Sequence, residues 1–239
     1  MTGSRARLQL GSVYREIAAT CREQWPLLLA TALVVFVPLG FLDALDERVG
    51  SADADELRDL EALALLGLAV AHGASALLGD VFYSGGVAAV VAERRTGVRH
   101  PLAEIARSLP YRRLIAVDVL LALIVLAGLV LLLLPGFVFF TWFALAGPVV
   151  KIEGLGAVAA LRRSRELVRG SFWRVFAVVV PVALATDALT EAASALATWL
   201  VGDTLPGDWA GAALAGVLLS PLYAVAVVVV AYRLIELKG

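Results

Sequence analysis

The sequence predicts an all-α, polytopic integral membrane protein with six transmembrane helices, short amphipathic in-plane helices, and both termini cytoplasmic. Three observations predict it. The 239 residues are 61% hydrophobic, where an ordinary soluble domain is roughly 45–50% apolar, and mean hydropathy is +0.88. The apolar residues come in continuous runs that approach the roughly 20 residues a bilayer crossing needs. The basic residues are confined almost wholly to alternate gaps between those runs. Isolated strands are excluded as spans because their unpaired backbone groups cost several kcal/mol each in lipid. A barrel would alternate over short segments.

The first run, about 25–42, begins at Trp25 and continues through "PLLLATALVVFVPLGFL" without a small-residue cleavage site, so it reads as a retained span. The second covers about 70–92, inside a longer apolar stretch that starts near residue 62. The third is about 114–134. A turn at Pro135-Gly136 opens the fourth, about 136–150, which is short for a span. Re-entry there would put Lys151 and the following arginines on the opposite side from the other basic loops, so a crossing is the better reading. The fifth is about 172–200 and the sixth about 209–232, and residues 1–239 read as one transmembrane domain.

Charge sets the orientation. Eighteen of the 20 Lys and Arg stand before span one, between spans two and three, between spans four and five, or after span six. The other two, Arg48 and Arg58, share the loop after span one with eight acidic residues. The loop "VGDTLPGD" after span five has no basic residue. The positive-inside rule then places both termini in the cytoplasm. In "LRRSRELVRGSFWRVFAVVV" (161–180) positive charge ends at Arg174, because a charge at bilayer depth costs at least about 2.5–3.5 kcal/mol. Phe172 and Trp173 fall at headgroup level, where aromatic rings are favoured.

Three stretches before odd-numbered spans have the pattern of in-plane helices. In "LQLGSVYREIAATCREQW", Leu10, Val13, Tyr14, Ile17 and Cys21 share a side. In "HPLAEIARSLP", Pro101 suits a first helical position, with Leu102, Ile105, Ala106 and Leu109 apolar. In "GLGAVAALRRSRELVRG", Val158, Leu161 and Val168 share a side, Arg162, Arg165 and Arg169 form a basic stripe, and Gly170 is a natural stop. Such a helix lies with its apolar face toward the bilayer and its basic face toward anionic headgroups. The same pattern also serves simply to anchor topology. The helix-then-hairpin unit recurs irregularly, as a weak threefold repeat.

An ionisable residue within a span points to function. Asp80 lies within span two, with Tyr83 and Ser84 on the same helical face. It reads either as a polar site or relay, or as a neutral structural carboxyl bonded to those hydroxyls. Asp187 and Glu191, one turn apart on span five with Thr190 between them, suit a cation near the outer face, or mark the exit of a long helix into water. Asp118, close after Arg113, is expected to reach the cytoplasmic interface and pair with an arginine. His72 has no companion ligand, and the single Cys21 permits neither an internal disulfide nor a cysteine metal site. Pro38, Pro148, Pro181 and Pro221 interrupt spans and favour kinks, and "GAALAG" (211–216) permits close helix packing. Zincin, Walker A and nucleophile-elbow motifs are absent from the sequence. No nucleic-acid-binding motif accompanies the arginines. No cofactor or metal is expected.

Residues 131–180 carry Pro135-Gly136, a short span with Trp142 and Pro148, Glu153-Gly154, "ALRRSRELVRG" and Trp173-Arg174. With the opening "SVYREIAATCREQWPLLL", these features resemble the membrane domain attached to some bacterial glycerophosphoryl diester phosphodiesterases. Related stand-alone bacterial membrane proteins of unknown function look similar. The resemblance implies a multi-span helical module that can be fused to an extracytoplasmic lipid-headgroup phosphodiesterase. The spans take up these 239 residues, so no active-site residue carries over.

The expectation is a non-enzymatic bacterial inner-membrane protein, an accessory or anchoring module. Arg162, Arg165 and Arg169 would contact anionic headgroups of the cytoplasmic leaflet, or a membrane-protein partner. The alternative is a small transporter or permease subunit with Asp80, Tyr83 and Ser84 as its intramembrane polar site, and Asp187 and Glu191 as further candidates.

Overall fold

The computed structural model describes residues 9–50, 83–92, 95–97, 104, 107–131, 133–202 and 204–238. Every element of regular structure among them is a helix: α1 (Leu10–Gly50), α2 (Tyr83–Ala92), α3 (Tyr111–Leu131), α4 (Leu133–Phe143), α5 (Ala146–Glu153), α6 (Ala157–Val168), α7 (Phe172–Val201) and α8 (Leu205–Lys238). Among the described residues, three stretches are helical and apolar enough to cross a membrane: Gly136–Glu153, Phe172–Val201 and Trp209–Lys238. The last two contain the expected spans five and six. Asp80, His72, the start of span two and most of the acidic loop lie outside the described residues.

The expected in-plane helix before span one is not a separate element. α1 runs unbroken for 41 residues through Pro26 and Pro38, about 60 Å at 1.5 Å per residue. The reason is a continuous buried face. Val13, Thr20, Leu28, Ala32 and Gly40 are all buried, at spacings that keep one side of a helix inward. Each proline removes one backbone bond, and both stand at exposed positions.

That face packs antiparallel on α8. Gly40 approaches Ala213 and Gly216 approaches Phe36 so closely that a Cβ at either glycine would lie about 3 Å from its neighbour. The Trp209 indole N–H donates to the Val37 carbonyl at 2.9 Å. At the other end Arg233 meets Glu16 at 2.7 Å. Small residues thus act as the sequence suggests, with Gly211 against Ala197 of α7 on another side. α8 is the central helix: Val225 to Ala231 are completely buried, as befits a helix apolar all round.

The turn expected at Pro135-Gly136 does not form: both residues are helical, within α4. A turn at Ala144–Leu145 divides segment 136–150 between α4 and α5. Asp118 does not reach the surface. It lies on the face of α3 shared by Leu114, Val117 and Leu121, and its side chain is fully buried.

Pro181 in α7 leaves the Ala177 carbonyl, four residues back, without its helical N–H donor. The Tyr14 hydroxyl donates to that carbonyl at 2.9 Å, so α1 supplies the bond the proline removes.

Candidate functional site

α6 is cut out of the chain by glycines. Gly154 (φ +67°) ends α5, Gly156 precedes α6 in extended conformation, and Gly170 (φ +84°) follows it. Left-handed backbone at 154 and 170 favours glycine because a Cβ would meet the backbone. The stop expected at Gly170 is where the helix ends.

The buried side of α6 is Ala160, Leu161, Ser164, Leu167 and Val168. Leu161 and Val168 lie on it as expected, but Val158 is 63% exposed. At 3.6 residues per turn it stands about 120° from Ser164, on the side of the arginines. A further correction concerns the direction of the apolar face. It docks on the protein itself, against α3, α4, α5 and α8, rather than being left for lipid.

Polar bonds fix this docking. The Ser164 hydroxyl donates to the Trp142 carbonyl at 2.8 Å, one of the acceptors left open at the end of α4. Arg163 binds Glu153 at 3.0 Å. The Lys238 ammonium donates to the carbonyls of Glu166 (3.2 Å), Leu167 (2.7 Å) and Arg169 (2.6 Å). Its three N–H donors are thereby spent on the C-terminal end of α6, where a cation also suits the helix dipole. Arg113 donates to the Gly154 carbonyl, and Lys151 to the carbonyl and hydroxyl of Ser108.

The outer side of α6 carries Arg162, Arg165 and Arg169, all exposed. Arg162 and Arg169 form no side-chain hydrogen bond or ion pair among the described residues. The Arg165 guanidinium lies over the Trp142 ring, 4.8 Å from its centroid. Trp142 belongs to an aromatic cluster with Phe139, Phe143, Phe172, Trp173 and Phe176, whose successive ring centroids are 5.4–6.5 Å apart. Trp173 is 76% exposed.

A second ionic group ties the same end of the bundle. Arg95, just past α2, reaches Glu16 of α1 at 2.8 Å and pairs with Glu236 of α8, and its guanidinium lies 4.3 Å over Tyr232. Because Lys238 grips α6 two residues beyond Glu236, Arg95 and Arg163 lie at one end of the molecule. In the sequence these bases stand out as orientation signals, and their acids do not. Once α1 and α8 are known to be antiparallel, Glu16 and Glu236 are the acids placed at that end.

Of the alternative site, Asp80 lies outside the described residues, while Tyr83 and Ser84 lie within them. Tyr83 is 1% exposed, packs edge-on against Phe36 with centroids 5.3 Å apart, and donates to the Leu28 carbonyl at 2.7 Å. Ser84 is likewise buried. Asp187 and Glu191 are exposed on α7. No group of three or more His, Cys, Asp or Glu able to hold a metal occurs among the described residues.

Comparisons of the chain with known protein families, curated protein sequences and solved structures found no match.

Proposed function

We propose that the chain is a non-enzymatic, multi-pass protein of the bacterial cytoplasmic membrane, with six spans and both termini inside, that binds anionic lipid headgroups through the outer side of α6. A membrane-protein partner with an acidic surface is a further occupant of the same reading. The carrying observation is a division of labour within one helix. The apolar side of α6, with Ser164 and the backbone ends, holds the fold. Arg162 and Arg169 hold nothing among the described residues, and Arg165 between them lies over Trp142, in the aromatic cluster that includes the exposed Trp173. Unspent cations next to an aromatic belt match the headgroup layer of an acidic leaflet, where each contributes about 1 kcal/mol. The resemblance to the phosphodiesterase-linked membrane domain fits a module that works at lipid headgroups without chemistry of its own.

The test is native mass spectrometry of the purified protein titrated with phosphatidylglycerol. Arg162→Gln, Arg165→Gln and Arg169→Gln together are expected to weaken lipid retention roughly tenfold or more. Unchanged retention overturns the assignment. The transport reading has less support, because the Tyr83 hydroxyl is engaged by α1 in a closed contact.

A further inference from the structure

We infer that Arg165, Arg169 and Trp173 form a discrete seat for the phosphate of one anionic glycerophospholipid, as opposed to a diffuse positive field; this rests on the reading that α6 faces acidic headgroups. Arg165 supplies the first argument. Its guanidinium lies over Trp142, 4.8 Å from the ring centroid, and the Trp142 ring is itself held edge-on by Phe172, with centroids 6.4 Å apart. The guanidinium N–H donors form the fork that matches a phosphate bidentately. Arg165 makes no side-chain hydrogen bond or ion pair among the described residues, so the fork is oriented without being filled. A donor held in place before binding loses less freedom on binding.

Arg169 follows one turn later on the same side. Its own carbonyl is held by Lys238 at 2.6 Å, so its backbone is fixed while its side chain is unengaged. Acids that would neutralise the pair are committed elsewhere: Glu153 binds Arg163 at 3.0 Å, and Glu166 leans toward Arg163 at 3.9 Å. Trp173 belongs to the same aromatic cluster, two ring contacts from Trp142 through Phe172. Phe172 and Phe176 hold it edge-on, and its exposed ring offers an apolar flank to the glycerol and upper acyl chain of a lipid whose phosphate sits on the arginines. A free phosphate would use the arginines and leave this flank idle, so the lipid is the occupant.

Full-length protein in detergent is titrated with short-chain phosphatidylglycerol and read by native mass spectrometry, with melting temperature as the check on folding. Arg165→Lys keeps the charge but loses the planar fork, and is expected to weaken binding about tenfold. Trp173→Ala, at an exposed position, is expected to weaken it severalfold. Arg107→Gln removes an exposed charge elsewhere and is expected to change nothing. Wild-type binding by Arg165→Lys and Trp173→Ala, with loss only in the triple glutamine variant, overturns the seat and leaves the diffuse reading standing. Loss in neither overturns both. Displacement of the lipid by equimolar inorganic phosphate overturns the lipid as occupant.

Discussion

Two stretches of this chain share a sequence signature and meet different fates. Residues 10–22 and 157–168 each combine an apolar stripe with basic residues ahead of a hydrophobic run. The first is absorbed into a 41-residue helix, and Glu16 within it engages Arg95 and Arg233. The second is an isolated twelve-residue helix whose outer arginines remain unspent. Glycines make the difference. Nothing between Gly11 and Pro26 stops a helix, whereas Gly154, Gly156 and Gly170 bracket α6. Amphipathic pattern identifies a helix with two faces, but the punctuation around it decides whether that helix is autonomous. The acids within reach decide whether its charge is available to a ligand.

The comparison breaks most visibly at the buried side of α6. Leu167 is fully buried, and Leu167→Ala is expected to cost about 2–5 kcal/mol. Val158→Ala, on the exposed side of the same helix, is expected to stay within about 0.5 kcal/mol. Reversible unfolding in mixed detergent measures both. Equal effects would mean that α6 lies apolar-side down on lipid, as the sequence alone suggested.

The ionic group at the start of α1 comes next. Glu16→Gln leaves Arg95 and Arg233 without their shared carboxylate. These side chains are only partly buried, so screening reduces the loss to about 1 kcal/mol. Glu236→Gln, at a half-exposed carboxylate, is expected to cost less than about 0.5 kcal/mol. The Glu16 effect should shrink in 1 M salt, where the screening length falls to about 3 Å. A salt-independent loss would identify Glu16 as a packing residue and not an ionic one.

What the sequence disclosed follows the range of each interaction. The stop at Gly170, the bounds of α7 and the outward arginine stripe depend on neighbours within a turn or two and were readable, whereas α8 extends past the expected 209–232 at both ends. The grip of Lys238 on the end of α6, the Tyr14 bond that satisfies the carbonyl released by Pro181, and the Glu16–Arg95–Glu236 link join residues far apart in the chain. No local pattern announces them. Asp118 shows the same divide: its closeness to Arg113 in sequence suggested a surface pair, while its helical face carried it inward with Leu114 and Leu121. The continuity of α1 past Pro26 was hidden for a related reason. Proline penalises a helix locally, and only packing along α8 offsets the penalty.

Cysteine chemistry gives the finest distinction between the two stretches and leaves stability untouched. Cys21, the single cysteine, packs partly against the core, and burial pushes its thiol above the ordinary value. A raised thiol carries less of the reactive thiolate at a given pH. Near pH 8 Cys21 should therefore react slowly with a maleimide, and its rate should keep climbing above pH 9. Val158→Cys in a Cys21→Ser background places a thiol on the exposed side of α6. It should react several times faster and approach its plateau nearer an unperturbed thiol pKa of about 8.5. Coincident pH–rate curves would show that residue 21 is as open as residue 158. That result would remove the buried face that makes α1 one helix, and with it the contrast between a stretch joined to a span and one that stands alone.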